Sequence, residues 1–151
     1  RRPASPTATP PCFGFAAPSS ARTENTRTPG FLEPAELVRW LSATDVFLAP
    51  FTDGVSTRRT TVMAALQQSL AVVGTDGFLT DDILRNATNA MRLVPAGDSD
   101  SFVNAVVELS KRPESRVALG GAGSALYRAE FDWPVAARRV LSVLGITPHE
   151  Q

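Results

Sequence analysis

Residues 45–76 constrain this chain most, because they read as a strand, a glycine-containing loop, a helix and a second strand. One apolar run begins at Val46 and stops before Pro50, and another spans residues 70–73 and is closed by Gly74. Two buried apolar strands joined by a crossover helix form a βαβ unit, whose strands are parallel and covered on both faces. The stretch therefore predicts an α/β fold.

The loop after the first strand is expected at the carboxyl end of the sheet, where open α/β folds bind ligands. Asp53-Gly54 is a turn pair, and Gly54 allows close approach of a ligand to the backbone. Ser56 and Thr57 are natural N-cap residues, and Thr57 predicts a helix that runs to about Gln68. The start of such a helix presents free N–H groups and a partial positive charge, which favour an anion.

Arg58 and Arg59 add two permanent cations within the predicted first turn of that helix. They oppose the positive end of the helix dipole, and an anion such as a phosphate beside them would relieve this misfit. Both arginines are equally explained if they are solvated or pair with Asp53 or Glu33. The two interpretations stay open on the sequence alone.

Composition argues against several classes of function. Lys plus Arg and Asp plus Glu both number 15, so no net basic field favours nucleic acid as a partner. The only cysteine, Cys12, rules out an internal disulfide. The single histidine, His149, together with that single cysteine argues against a catalytic triad and a zinc site, so we expect no metal. No apolar run is long enough for a transmembrane segment, and the first residues lack a signal-peptide core, so we expect a cytoplasmic location.

The chain changes character near Gly30. Residues 1–29 hold six of the twelve prolines among many Ala, Ser and Thr, which predicts a disordered tail. Residues 30–147 are predicted to form a partial Rossmann-like domain with a parallel sheet flanked by helices, ending in consecutive helices. Its further predicted elements are a helix from Pro34, a short helix capped by Thr80, a strand at residues 91–94, and helices that begin at Asp98 or Ser99, at Pro113 and at Pro134.

Four pieces of the sequence, taken in order, resemble the family 4 (group 1) glycosyltransferases. They read GFLEPAELVRWLSATDVFLAPF, GVSTRRTTVMAALQQSLAVVGTDG, LVPAGDSDSFVNAVVEL and YRAEFDWPVAARRVLSVL. The resemblance covers residues 30–145 and implies half of the GT-B architecture, in which two Rossmann-like domains face each other across a cleft. The chain would be mostly the C-terminal, donor-binding half, truncated at its N-terminal side.

The resemblance implies a hexosyltransferase that transfers a sugar from a nucleoside-diphosphate sugar to an acceptor hydroxyl with retention. It implies no cofactor besides this donor substrate, and catalysis by charge stabilisation of the departing diphosphate, with no catalytic residue assigned. The expected donor-binding residues lie in three loops. They are Gly30, Phe31 and Leu32 against the base, Asp53, Gly54, Val55, Ser56, Thr57, Arg58 and Arg59 at the phosphates and sugar, and Thr75, Asp76 and Gly77 in the turn after the second strand.

The chain also departs from the family. Ser56 and Ala64 occupy the two positions of the family's E-x(7)-E pair, and neither is acidic. The first strand and helix of the C-terminal domain have no visible counterpart, nor has the N-terminal domain that holds most of the acceptor site. The implied partners are therefore the nucleotide-sugar donor, an unidentified acceptor, and a missing N-terminal domain or a partner chain.

Two alternatives remain beside a truncated glycosyltransferase. The first is a non-catalytic remnant that binds a nucleotide or a partner chain, which the missing acceptor domain favours for the isolated chain. The second is an unrelated Rossmann-like domain for another phosphorylated ligand. It is weaker, because no G-x-G-x-x-G follows a strand.

Overall fold

The computed structural model describes residues 29–145. The chain divides into two units, Arg1–Arg39 and Trp40–Gln151, and helix α1 (Pro34–Ser42) begins in the first and ends in the second. The predicted tail lies outside the described residues except for its last residue, and residues 146–147 of the predicted domain lie outside them as well. The predicted domain boundaries therefore stay a prediction.

The second unit holds a parallel sheet with helices on both faces. After α1, its elements in chain order are β1 (Val46–Ala49), α2 (Thr60–Gln67), β2 (Ala71–Asp76), α3 (Asp82–Asn86), β3 (Arg92–Pro95), α4 (Ser99–Lys111), α5 (Pro113–Glu130) and α6 (Trp133–Val143). The strand order is β1-β2-β3, with Val46 beside Ala71 and Val73 beside Arg92. The predicted α/β, Rossmann-like fold that ends in consecutive helices is confirmed.

The two faces of the sheet are covered by separate apolar clusters. Val72 of β2 is fully buried in the cluster that contains Leu66 of α2. Its neighbour Val73 is fully buried in the other cluster, with Ala105 and Leu109 of α4. Because successive strand residues point to opposite faces, a continuous apolar run is what a strand covered on both sides requires.

Helix α2 begins later than predicted. It starts at Thr60 with Arg59 as its N-cap, and no side chain caps it. The backbone N–H of Thr57 instead donates to the Asp81 carboxylate at 2.5 Å, and the N–H of Arg59 donates to the Ser56 carbonyl at 3.0 Å. A separate turn therefore precedes the helix, and the two arginines lie before its first turn rather than within it.

Strand β2 is longer than predicted, because Gly74 does not close it. The strand continues to Asp76, and Gly74 pairs with both neighbouring strands. A Cβ on Gly74 would lie 2.6 Å from a Val55 methyl carbon, so the glycine makes room for a packed side chain. Thr75 and Asp76, predicted in a turn, are therefore the last two residues of the strand.

Other helix starts agree with the sequence in part. Asp98 caps α4 by accepting from the Ser101 N–H at 2.9 Å, and prolines open α1 and α5 as predicted. Thr80 does not cap α3, whose N-cap is Asp81. The Thr80 hydroxyl instead accepts from the Gly77 N–H at 2.9 Å, which fixes the loop before the helix.

Candidate functional site

Two loops meet at the carboxyl edge of the sheet, residues 50–59 after β1 and residues 77–81 after β2, and we call them the edge loops. A Cβ on Gly54 would lie 2.5 Å from the Gly77 nitrogen, and a Cβ on Gly77 would lie 2.6 Å from the Asp53 carbonyl oxygen. The Leu79 N–H donates to that same carbonyl at 2.9 Å. Two glycines thus allow a backbone-to-backbone contact that joins the edge loops into one platform.

Three predicted donor-site residues lie beneath this platform. The Val55 N–H donates to the Thr75 carbonyl at 2.9 Å, and the Thr75 hydroxyl donates to the Phe51 carbonyl. Val55 is fully buried, and Ser56 and Thr75 are only 6% and 7% exposed. The side chains of Val55, Ser56 and Thr75 are therefore enclosed by the protein rather than exposed to solvent.

Arg59 is fixed within the first edge loop. Its Nη2 lies 2.5 Å from Asp53 Oδ1, and its Cζ lies 3.9 Å from the centroid of the Phe51 ring. A half-buried ion pair and a cation–π contact together hold the guanidinium in place. The interpretation in which an arginine pairs with Asp53 therefore holds for Arg59.

Arg58 has a different environment from its neighbour. Its side chain is exposed, and within residues 29–145 it makes no ion pair and no ring contact. It stands one residue before the N-cap of α2, beside the N–H groups that the start of a helix leaves without partners inside the helix. The turn thus places an exposed cation in the chain directly before the start of a helix.

A second polar cluster lies at the end of β2. Arg85 of α3 donates to Asp76 from Nε at 3.1 Å and from Nη2 at 3.0 Å, to Asp82 at 3.0 Å and to the Gly77 carbonyl at 3.2 Å. The hydrogen bond from Arg85 lowers the pKa of the Asp76 carboxyl, and Asp76 in turn raises the pKa of Arg85. The charge of Asp76, a predicted donor-site residue, is therefore already matched by a protein cation.

Comparison with known proteins identifies the family. The family model described as "Glycosyl transferases group 1" matches residues 15–112, which include both edge loops. This chain belongs to the group 1 glycosyltransferases. This match confirms the family that the sequence resembles. The reaction of this family needs a sugar donor and an acceptor.

One relative of this glycosyltransferase domain is the GDP-mannose-dependent monoacylated alpha-(1-6)-phosphatidylinositol monomannoside mannosyltransferase of Corynebacterium glutamicum. The two sequences are 28% identical over 133 residues, which cover 83% of this chain and 34% of the relative. The glycosyltransferase chain thus spans about a third of the length of the curated relative that it matches.

The sequence resemblance sets Ser56 and Ala64 at the positions of the family's glutamate pair, and neither residue is acidic. Ser56 is buried in the first edge loop, and Ala64 lies within α2. The carboxylates that the edge loops do carry are engaged with the protein. Asp53 pairs with Arg59, and Asp81 accepts from the Thr57 N–H.

Gly30, Phe31 and Leu32 belong to the first unit of the chain. Gly30 has a φ of +74°, and Phe31 is 81% exposed. Their placement against the base of a nucleotide stays a prediction. The structure brings the other predicted donor-site residues together at the carboxyl edge of the sheet.

Three contributors to this site were not found from the sequence. They are Phe51, whose ring contacts the Arg59 guanidinium, Asp81, which accepts from the Thr57 N–H, and Arg85, which donates to Asp76. The spacing of Asp82 and Arg85, three residues apart on one helix, was a signal for their own ion pair. The contact of Arg85 with Asp76 and that of Asp81 with Thr57 join different elements or loops, so no helical or strand spacing in the sequence predicts them.

Within the part of the chain that the structure describes, no three His, Cys, Asp or Glu side chains are grouped as metal ligands. No helix among residues 29–145 has the length and hydropathy needed to cross a membrane.

Proposed function

We propose that the edge loops bind the diphosphate of a nucleoside-diphosphate sugar, and that the enzyme transfers a hexosyl group from this donor to an acceptor hydroxyl with retention. The observation that carries the proposal is Arg58. It is an exposed cation without a described partner, in the turn that leads into α2 at the carboxyl edge of a parallel sheet. The chain's membership of the group 1 glycosyltransferases supports a nucleotide sugar as the anionic ligand.

The chemistry of the reaction suits these groups. Negative charge builds on the diphosphate as its bond to the sugar breaks, and fixed donors placed at that charge lower the barrier. The Arg58 guanidinium and the N–H groups at the start of α2 supply such donors. Arg59, held by Asp53 and Phe51, keeps the turn in position without contacting the ligand.

The donor class is proposed from the relative. The Corynebacterium glutamicum enzyme is GDP-mannose-dependent, so GDP is the nucleotide that we expect to bind best and mannose the sugar that we expect to be transferred. Retention of the anomeric configuration rests on the resemblance to the family alone.

A second candidate function is nucleotide binding without catalysis. It is favoured by Ser56 and Ala64, which leave the chain without the family's two carboxylates at these positions. Donor hydrolysis separates the two candidates. A chain that binds GDP-mannose and slowly releases mannose from it is catalytically competent, and a chain that binds it without turnover is a binding domain.

Calorimetric titration of the purified chain with GDP, UDP and ADP tests the proposed site. We expect saturable binding of one nucleotide and a loss of at least about tenfold in affinity for Arg58→Ala, since a hydrogen bond to a charged group is worth roughly 1.5–3 kcal/mol. Arg128→Ala is the matched control, because Arg128 is exposed on α5 and forms no ion pair with described residues. Equal affinity of the Arg58 and Arg128 variants would contradict the assignment.

A further inference from the structure

The tip of the second edge loop exposes two adjacent apolar side chains. Phe78 is 84% exposed, and Leu79 is 43% exposed. Single exposed apolar residues are common on protein surfaces and need no explanation. Here the two stand together at the carboxyl end of a strand, where ligands bind in folds of this class.

The backbone on either side of Phe78 is held firmly. The Gly77 N–H donates to the Thr80 hydroxyl at 2.9 Å, and the Thr80 N–H donates to the Gly77 carbonyl at 3.1 Å. The Leu79 N–H is bound to the Asp53 carbonyl of the other edge loop. The backbone of the loop is therefore already held in place, so a ligand that binds the ring would have to order only the Phe78 side chain.

We propose that the Phe78 ring packs against the C–H face of the hexosyl ring of the donor. This inference rests on the proposed diphosphate site at Arg58. The hexosyl group is bonded directly to the diphosphate, whereas the nucleobase is separated from it by the ribose. Aromatic rings present a negative face to which the C–H groups of a sugar are attracted.

The position of Phe78 relative to the diphosphate site supports the sugar as its ligand. The backbone of its loop touches the Asp53-Gly54 turn, which lies in the same edge loop as Arg58. Neighbouring parallel strands are about 4.8 Å apart, so a sugar bonded to a phosphate on the first edge loop would lie beside the second edge loop, which carries Phe78. Phe78 would thus act in binding the sugar and in selecting among sugars.

Titration of the full chain with matched pairs of ligands tests the inference. The pairs are GDP with GDP-mannose, UDP with UDP-glucose and ADP with ADP-glucose. For the nucleotide that binds, Phe78→Ala should weaken binding of the nucleotide sugar about three- to tenfold and leave binding of the free nucleotide within about twofold. Trp133→Ala is the matched control, because Trp133 is an equally exposed aromatic residue (81%) on α6 and should change neither affinity.

Each other outcome has a definite meaning. Equal weakening of nucleotide and nucleotide sugar by Phe78→Ala would overturn the inference and place the ring on the nucleoside. No effect of Phe78→Ala, with binding that still depends on Arg58, would overturn the inference and leave the proposed function intact. Absence of binding by the folded wild-type chain would overturn both.

A ring-current measurement gives an independent readout. In proton NMR of the bound nucleotide sugar, the hexose C–H signals should shift upfield with wild-type protein and lose that shift with Phe78→Ala. Unshifted hexose signals with wild-type protein would refute the contact even if the affinities had changed.

Discussion

Substitution of Gly54 by alanine probes the contact that joins the edge loops. Gly54 has a φ of +93°, and a Cβ there would lie 2.5 Å from the Gly77 nitrogen and would also overlap the Thr80 hydroxyl. Gly97 provides a matched control, because its φ is +90° and nothing lies within 4 Å of an added Cβ. Both substitutions place an alanine at a positive φ, which is strained, but only the Cβ at position 54 would also overlap neighbouring atoms.

The expected magnitudes follow from these two terms. A non-glycine residue in the left-handed region costs roughly 1–2 kcal/mol, and forcing extra atoms into a packed site costs roughly 1–3 kcal/mol. Gly97→Ala should therefore lower the free energy of unfolding by about 1–2 kcal/mol, and Gly54→Ala by about 2–5 kcal/mol. For a domain whose total stability is about 5–15 kcal/mol, the second loss is large.

Urea unfolding followed by circular dichroism measures both variants, with unchanged m-values as the check that the unfolding reaction is the same. Gly54→Ala should also weaken nucleotide binding under conditions in which the variant is folded, since the loop that carries Arg58 can no longer rest on Gly77. A loss for Gly54→Ala no larger than that for Gly97→Ala would refute the reasoning, because it would mean that the two loops separate without penalty.

Two further predictions concern β2 and its end. Gly74→Ala should lower the free energy of unfolding by about 1–3 kcal/mol in the same urea assay, because its Cβ would lie 2.6 Å from a Val55 methyl carbon; an unchanged stability would contradict the close packing. Asp76 has its pKa lowered below 3.8 by Arg85, so the stability that its ionised form contributes is present above pH 3.8 and is lost as the pH falls below that value. Urea midpoints of wild type and Asp76→Asn should therefore differ at neutral pH and converge in acid, and a constant difference would count against the ion pair.

Much of this fold could be predicted because its signals are local. The apolar run that begins at Val46 could be identified as a strand, and Asp98 as a helix cap, from neighbouring residues alone. The burial predicted for that strand is wrong in part, because only Ala49 is buried in β1 and Leu48 is 48% exposed. The carboxyl edge of the sheet as the place of the site followed from the βαβ pattern, and the family resemblance added the nucleotide-sugar donor as the implied ligand. The strands, the parallel sheet and the closing helices follow from such short-range patterns.

The errors arose where a distant residue decided the local structure. Thr57 has the side chain of a helix cap, but its backbone N–H is bound by Asp81, 24 residues further along the chain, so the helix starts after another turn. Gly74 has the appearance of a strand end, but the Val55 side chain fills the space over it. In both contacts the two residues are more than ten positions apart in the sequence, so a pattern read over ten neighbouring residues cannot predict them.

The arginine pair shows the limit of sequence patterns at the site itself. Ligand contact and pairing with Asp53 were equally compatible with the two adjacent arginines. The structure distinguishes the two arginines, because Arg59 contacts Asp53 and Phe51 while Arg58 is exposed. The difference depends on the course of one turn, which no residue type in the sequence specifies.

The most direct test of the central claim is to locate the bound nucleotide on the protein by amide NMR. Titration of the isotope-labelled chain with GDP should shift the backbone amide signals of residues 57–61 and of the loop at residues 77–80. At a GDP concentration near the wild-type Kd, Arg58→Ala should reduce those shifts several-fold. Shifts confined to other surfaces, or identical shifts in wild type and Arg58→Ala, would contradict a diphosphate site on the edge loops.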